Sequence, residues 1–317
     1  MQIDAITRKS SLLAILLFVM VAVAALVRMT TTPYDMELAE SPFRERTISI
    51  ICAFLTLLAT SLVVGRLFMS TGLSKNFCTL PIPVLGVLAW GIAVPTNTLS
   101  SAVTTFLFAM ALLLLGRSIN RADERNSVFM GAVLLGALPL FDPIFILLVV
   151  TIPLVALLFT LNVRQLFIAT VGYMLPLFLA SYVVWYGGGD IGDVATNIVD
   201  RLSTHLDLTT THPPFGAIVL SVWAMVICVW GVVYAVLRPN KMFLVARLRR
   251  TLYFFLLLAV VFGAMLFVPC CGLAVLPVAA VVGTVIVCFV LSLLPTQEST
   301  IAYWILLILF VVHLFVE

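Results

Sequence analysis

Apolar runs recur along this chain, most of them close to the length of a helix that crosses a bilayer. A crossing helix needs about 20 apolar residues, because the hydrocarbon layer is about 30 Å thick and a helix rises about 1.5 Å per residue. Runs approaching that length occupy residues 11–27, 48–64, 80–95, 100–115, 128–140, 144–161, 166–185, 215–237, 252–268, 273–294 and 301–316. The expected fold is an all-α polytopic bundle of about eleven transmembrane helices, with no long polar stretch left for a soluble domain. Composition agrees: 63% of the 317 residues are hydrophobic, 10% are charged and the mean hydropathy is +1.24, which excludes a soluble globule.

The scarce cations orient the bundle. Arg8 and Lys9 precede the first run, Arg66 and Lys75 follow the second, and Arg117, Arg121 and Arg125 follow the fourth. Arg164 follows the sixth, and Arg238, Lys241, Arg247, Arg249 and Arg250 form a cluster after the eighth. By the positive-inside rule these segments are cytoplasmic, which puts the N-terminus inside and the C-terminus outside. No small-residue cleavage site stands before Arg28, so the first run reads as an uncleaved span. The formal charge of +3 is a matter of topology here, and no nucleic-acid partner is expected.

This orientation gathers the polar features on the external side. The loop of residues 28–46 holds Asp35, Glu37, Glu40 and Glu45 with Arg28, Arg44 and Arg46. Asp142 and Pro143 form the turn between the fifth and sixth runs. After Trp185 and Tyr186, Gly187, Gly188 and Gly189 break the helix. In residues 190–208, Ile191, Val194, Ala195, Ile198, Val199, Leu202 and Leu206 fall on one helical face, and Asn197, Asp200, Arg201, Thr204 and Asp207 on the other. That pattern predicts an amphipathic helix on the external membrane surface, with Asp190 capping its start and Asp193 in its first turn. The organisation is then one integral membrane domain: residues 1–186, an external loop and helix over 187–214, and C-terminal spans over 215–317. Within the first part, residues 80–95 carry Pro81, Pro83, Gly86, Gly91 and Pro95, which predicts a bent or partly re-entrant segment.

Each candidate site residue has two readings. Asp35 and Glu37 are either part of a solvated mixed-charge connector or a general base or metal ligand at the membrane surface. Asp142 is either the cap of the helix that Pro143 begins or an acid at the external interface. Arg28 and Arg44 suit a phosphate as well as a lipid headgroup. His205 and His212 lack a metal-ligand spacing, so no metal site is assigned to them. Of the six cysteines, Cys52, Cys228 and Cys288 fall inside spans as small apolar residues, and Cys270 and Cys271 are adjacent at an external turn. Phosphate-binding glycine loops, nucleophile elbows and metalloprotease helices are absent from the sequence.

The acidic first loop, the second run ending in Gly65 and Arg66, the short Pro-rich third run, and the stretch from Leu112 to Arg117 into Gly131, Gly136 and Asp142-Pro143 together form a pattern. It resembles the N-terminal half of the type C glycosyltransferase fold, over roughly the first two-thirds of the chain. The layout is also similar to a family of multi-pass inner-membrane proteins of Bacteroidota. The resemblance implies an external active site that takes a sugar from a polyprenyl-phosphate carrier. Asp35 and Glu37 would supply the base or metal ligand, Asp142 a second acid, and Arg28, Arg44 or Arg201 the hold on the lipid phosphate, with His205 and His212 near the substrate. A divalent metal is left open as cofactor. The chain departs from better known members in lacking a large soluble C-terminal domain and in placing Met36 between the two acids. A non-catalytic assembly subunit of an envelope complex, with protein partners, is the alternative. A transporter ranks third, since the runs offer Ser and Thr but no buried charge pair.

Overall fold

A computed structural model describes residues 19–20, 43–71, 79–91, 98–120, 125–159, 163–203, 215–237, 246–265, 268, 275–294 and 296–316. Among the described residues every regular element is helical. In chain order they are α1 (Phe43–Ser70), α2 (Pro81–Gly91), α3 (Thr98–Asn120), α4 (Arg125–Ala137), a 3-10 turn (Leu138–Leu140), a 3-10 helix (Pro143–Val150), α5 (Thr151–Phe159), α6 (Val163–Tyr186), α7 (Asp193–Ser203), α8 (Phe215–Leu237), α9 (Ala246–Met265), α10 (Val275–Leu293) and α11 (Thr296–Val316). Among the described residues, four stretches are long and apolar enough to cross a membrane: Ile51–Ser70, Leu99–Arg117, Val163–Tyr186 and Val275–Ser292. Shorter apolar helices cover Asn126–Leu140, Pro143–Leu158, Arg250–Met265 and Gln297–Val312. The run at residues 11–27 lies outside the described residues except for Val19 and Met20, which are exposed.

Helix α10 organises the bundle. Its sequence VLPVAAVVGTVIVCFVLSL is apolar on every side, and a helix without a polar face belongs in an interior. Of the Val275–Ser292 stretch 78% is buried, against 22% for Val163–Tyr186, so α10 is the centre and α6 the rim. Around α10 stand α1, α2, α3, α8, α9 and α11. Small side chains along α10 let these neighbours approach, as at Gly283, where Leu88 of α2 comes close. Phe108 of α3 meets Phe262 of α9 edge to face at 5.5 Å, and Trp223 Nε1 of α8 donates to the Ala302 carbonyl of α11 at 3.3 Å.

Helix α2 departs from expectation. Proline was expected to bend it, yet Pro81 and Pro83 sit in its first turn, where a missing N–H costs nothing, and the 11-residue helix ends at Gly91. Residues 80–89 are all buried against α10, α1, α11 and α8. A Cβ built on Gly116 would meet Thr71, Leu67 and Ser70 at 3.0, 3.1 and 3.1 Å, so the C-terminal ends of α1 and α3 lie together and the two helices run parallel. Of the segment between them beyond Thr71, the described part is α2 with residues 79 and 80 before it. Arg66 and Arg117 consequently share one end, as the cation pattern predicted.

The remaining helices form a flank. Gly131 of α4 faces Ala111 and Leu115, which folds α4 back along α3. The pairing of α4 with α6 has no room between backbones: a Cβ on Gly136 would overlap the backbone of Tyr173, and one on Gly172 would sit 2.8 Å from the Phe129 carbonyl oxygen. We expect Gly136→Leu to part these helices, lowering stability by about 1–3 kcal/mol or more. Gly263→Ala, which meets nothing within 4 Å, leaves the thermal midpoint in detergent unchanged or raised. Equal midpoints for the two variants would contradict the tight α4–α6 seam.

Candidate functional site

Asp142 is the candidate that the described residues place most fully. Helix α4 tightens into the 3-10 turn, the chain reverses at Phe141 and Asp142, and Pro143 opens the 3-10 helix. Asp142 has extended backbone, and its carboxylate accepts from the Ile144 backbone N–H at 3.2 Å. This is the capping geometry read from the Asp-Pro pair, although the helix it starts is the tighter 3-10 form before becoming α5 at Thr151. Pro153, two residues into α5, has no N–H to continue an α-helical ladder backward, which favours the tighter winding before it.

Tyr173 holds this hairpin from the side. Its ring is buried, its hydroxyl donates to the Ile146 carbonyl at 3.1 Å, and its backbone lies against Gly136. Residues on both arms of the turn thus meet one tyrosine, which fixes the height and direction of Asp142. Beside the acid, Leu140 and Phe141 are exposed.

Helix α7 lies against α6 and the 3-10 helix. Ile198 is 8% exposed, and Leu202 packs on the edge of the core. Its apolar face is therefore turned in part to the protein, where the sequence predicted a helix resting on the membrane surface; Ile191 and Val199 are left exposed. Asp190 does not cap it. Instead Asp193 Oδ2 accepts from the Asp190 N–H at 2.8 Å, closing the start from inside the helix.

This seating brings exposed Arg201 within electrostatic reach of half-buried Asp142. Burial raises the Asp142 carboxyl above the ordinary carboxylate range; the Ile144 N–H and the Arg201 charge pull it down by less. Two predicted site residues, one from a turn and one from a surface helix, come together. Asp35, Glu37, Arg28, His205 and His212 lie outside the described residues, and Arg44 falls in the first turn of α1 with no side-chain placement described. Among the described residues no group of three or more His, Cys, Asp or Glu side chains comes together to hold a metal. Tyr173 was missed by the sequence reading. Its only signal was a lone aromatic near Gly172 in an apolar run.

No family model, curated protein or solved structure matches the chain. The site therefore has to be argued from its own chemistry.

Because the folded Asp142 carboxyl binds its proton more tightly than an unfolded Asp, with its usual pKa of about 3.9, its contribution to stability is complete in acid. That contribution is lost as pH rises through the folded value. Asp142→Asn keeps a carbonyl oxygen for the Ile144 N–H and has no proton to lose. We expect its thermal midpoint to equal or exceed wild type at neutral pH, with the difference closing on acidification. A variant weaker than wild type at neutral pH and equal to it in acid would mean that Arg201 outweighs burial.

Proposed function

We propose that this protein is a multi-pass enzyme of the inner, cytoplasmic membrane that transfers a sugar from a polyprenyl-phosphate carrier at the external face. The reading uses about eleven spans with the N-terminus inside, so that the Asp142 turn and α7 face outward. The observation that carries it is that the helix bearing Arg201 packs on the 3-10 helix that Asp142 caps, within electrostatic reach of Asp142 and near exposed Leu140 and Phe141. An acid and a guanidinium at an apolar rim fit a lipid-linked phosphate donor: the chain lies on apolar surface and the fork holds phosphate oxygens.

In this scheme an acceptor hydroxyl attacks the anomeric carbon, a carbon–oxygen bond to the acceptor forms, and the bond to the carrier phosphate breaks. The hydroxyl proton passes to a carboxylate, Asp35 or Glu37 from the first loop or Asp142 itself. The departing phosphate carries its charge onto Arg201, with Arg28 and Arg44 as further ligands. A carboxyl raised by burial is a stronger base, which suits Asp142 to proton transfer. A divalent metal at the first-loop acids is compatible with this chemistry and is not required by it.

The second reading is an envelope assembly subunit. It is favoured by the hydrogen bond that Asp142 already makes as a cap. Transport draws less support: Thr60, Thr71, Thr104, Thr105, Thr151 and Thr284 are buried but return their hydroxyls to carbonyls three or four residues back, and among the residues whose burial is described no Asp, Glu, Lys or Arg is buried.

Asp142→Asn, Arg201→Gln and the Asp35→Asn, Glu37→Gln pair are each expected to lower an envelope glycan, by about a hundredfold where the acid is the base, at unchanged protein abundance. A wild-type glycan profile in all three, with normal abundance, selects the assembly subunit.

A further inference from the structure

Helix α6 leaves the bundle half-way along. Its buried residues are Gln165, Ala169, Gly172, Tyr173 and Pro176, and no residue from 177 to 197 is buried. Pro176 removes the backbone donor that would have bonded the Gly172 carbonyl, so the helix is weakest where its packing ends. The outer half reaches Trp185 and Tyr186, both exposed, and then Gly187, Gly188 and Gly189. Gly188 has φ +90°, a left-handed backbone that favours glycine, and a Cβ there or at Gly192 would touch nothing. The N–H groups of Gly187, Gly188 and Gly189 all bond back to α6, and a Cβ on Gly189 would sit 2.8 Å from Val184, so the open positions of this connection are Gly188 and Gly192.

Helix α7 is self-contained beyond this connection. Asp193 closes its start onto the Asp190 N–H, Thr196 Oγ1 donates to the Gly192 carbonyl at 3.2 Å, and Ser203 Oγ donates to Asp200 at 2.8 Å. These bonds do not depend on where the helix sits. Among the described residues its seat is on α6 and the 3-10 helix. Ile198 is its one buried residue and lies apart from the continuous core, which only Leu202 touches from α7. The seat is nonetheless specific, because it is on the 3-10 helix that Asp142 caps.

We propose that α7 is a detachable cover over the Asp142 turn, seated by Ile198 and hinged at the left-handed Gly188 turn. Asp142 meets the aqueous phase fully when the cover lifts. Arg201 leaves with α7, so the acid lies within range of a cation while covered and is solvated when open. The proposal concerns access to the turn and holds whether the protein is an enzyme or an assembly subunit.

The test places a cysteine at position 142 in the full-length chain with its native cysteines replaced, reconstituted in nanodiscs that expose both faces to a water-soluble maleimide. We expect slow labelling of Asp142→Cys, labelling faster by about tenfold when Ile198→Asp is added, and no change with Val199→Asp, which alters an exposed residue of the same helix. Ile198→Ala replaces the aspartate where that variant does not accumulate. Equal rates in all backgrounds would overturn the cover, as would equal acceleration by the two substitutions. Spin labels at Asn197 and Leu147, both exposed, read the motion directly. Ile198→Ala is expected to add a longer-distance population, and a single distribution unchanged from wild type would overturn the hinge.

Discussion

The described bundle depends on enclosing α10. A helix with Val, Ala, Leu and Gly on every side gains nothing from water and little from lipid, but its small side chains allow close backbone approach, where dispersion contacts accumulate. Six helices gather around it, and the arrangement of the others follows. Helix α2, buried all round although only 11 residues long, is possible because α10 and its neighbours replace the lipid it cannot span. Its ends need not reach the interface on their own. Helices α1 and α3 run parallel, with their C-terminal ends together at Gly116, and α2 packs against α1 and α10.

Polar groups are tolerated on two terms. In the bundle, threonine hydroxyls bond to carbonyls one turn back, as Thr284 does to Ala280 at 2.7 Å and Thr105 to Ser101 at 2.6 Å. Ser101 and Tyr303 are the described exceptions, with buried hydroxyls that find no partner. At the rim, charge is kept where a backbone donor or an opposite charge meets it. Asp142 has both, and its carboxyl is still raised, so burial dominates its environment.

The sequence made legible what periodicity and local chemistry encode. Helix α8 has the bounds expected from its apolar run, the Asp-Pro pair capped as read, and Arg66 and Arg117 fell at one end. Tertiary facts were not legible. Pro81 and Pro83 looked like a kink because a run of apolar residues does not mark where its helix begins. The 3-10 winding after Pro143 belongs to a competition between two ladders that differ by one residue in register. The amphipathic face of α7 announced a partner but not which one: protein and bilayer ask for the same stripe. Tyr173 gave no sign because its role needs Gly136 and Ile146, which the chain brings to it only by folding.

The cost of placing an acid at the tip of this hairpin bears on what the hairpin is for. A structural cap has no need of a carboxylate, since Asn or Ser would accept from the Ile144 N–H without a charge to desolvate. Nor does a turn need an arginine carried to it on a separate helix after a triple-glycine break. Each feature alone has a simple structural account. Together they set an ionisable group beside a helix with one buried residue and a cation within electrostatic range, and moving that helix would change the acid's solvation and its electrostatics at once. A turn that served only to reverse the chain would be more stable with both features removed, and that difference between stability and use is what the Asp142 and Ile198 substitutions separate.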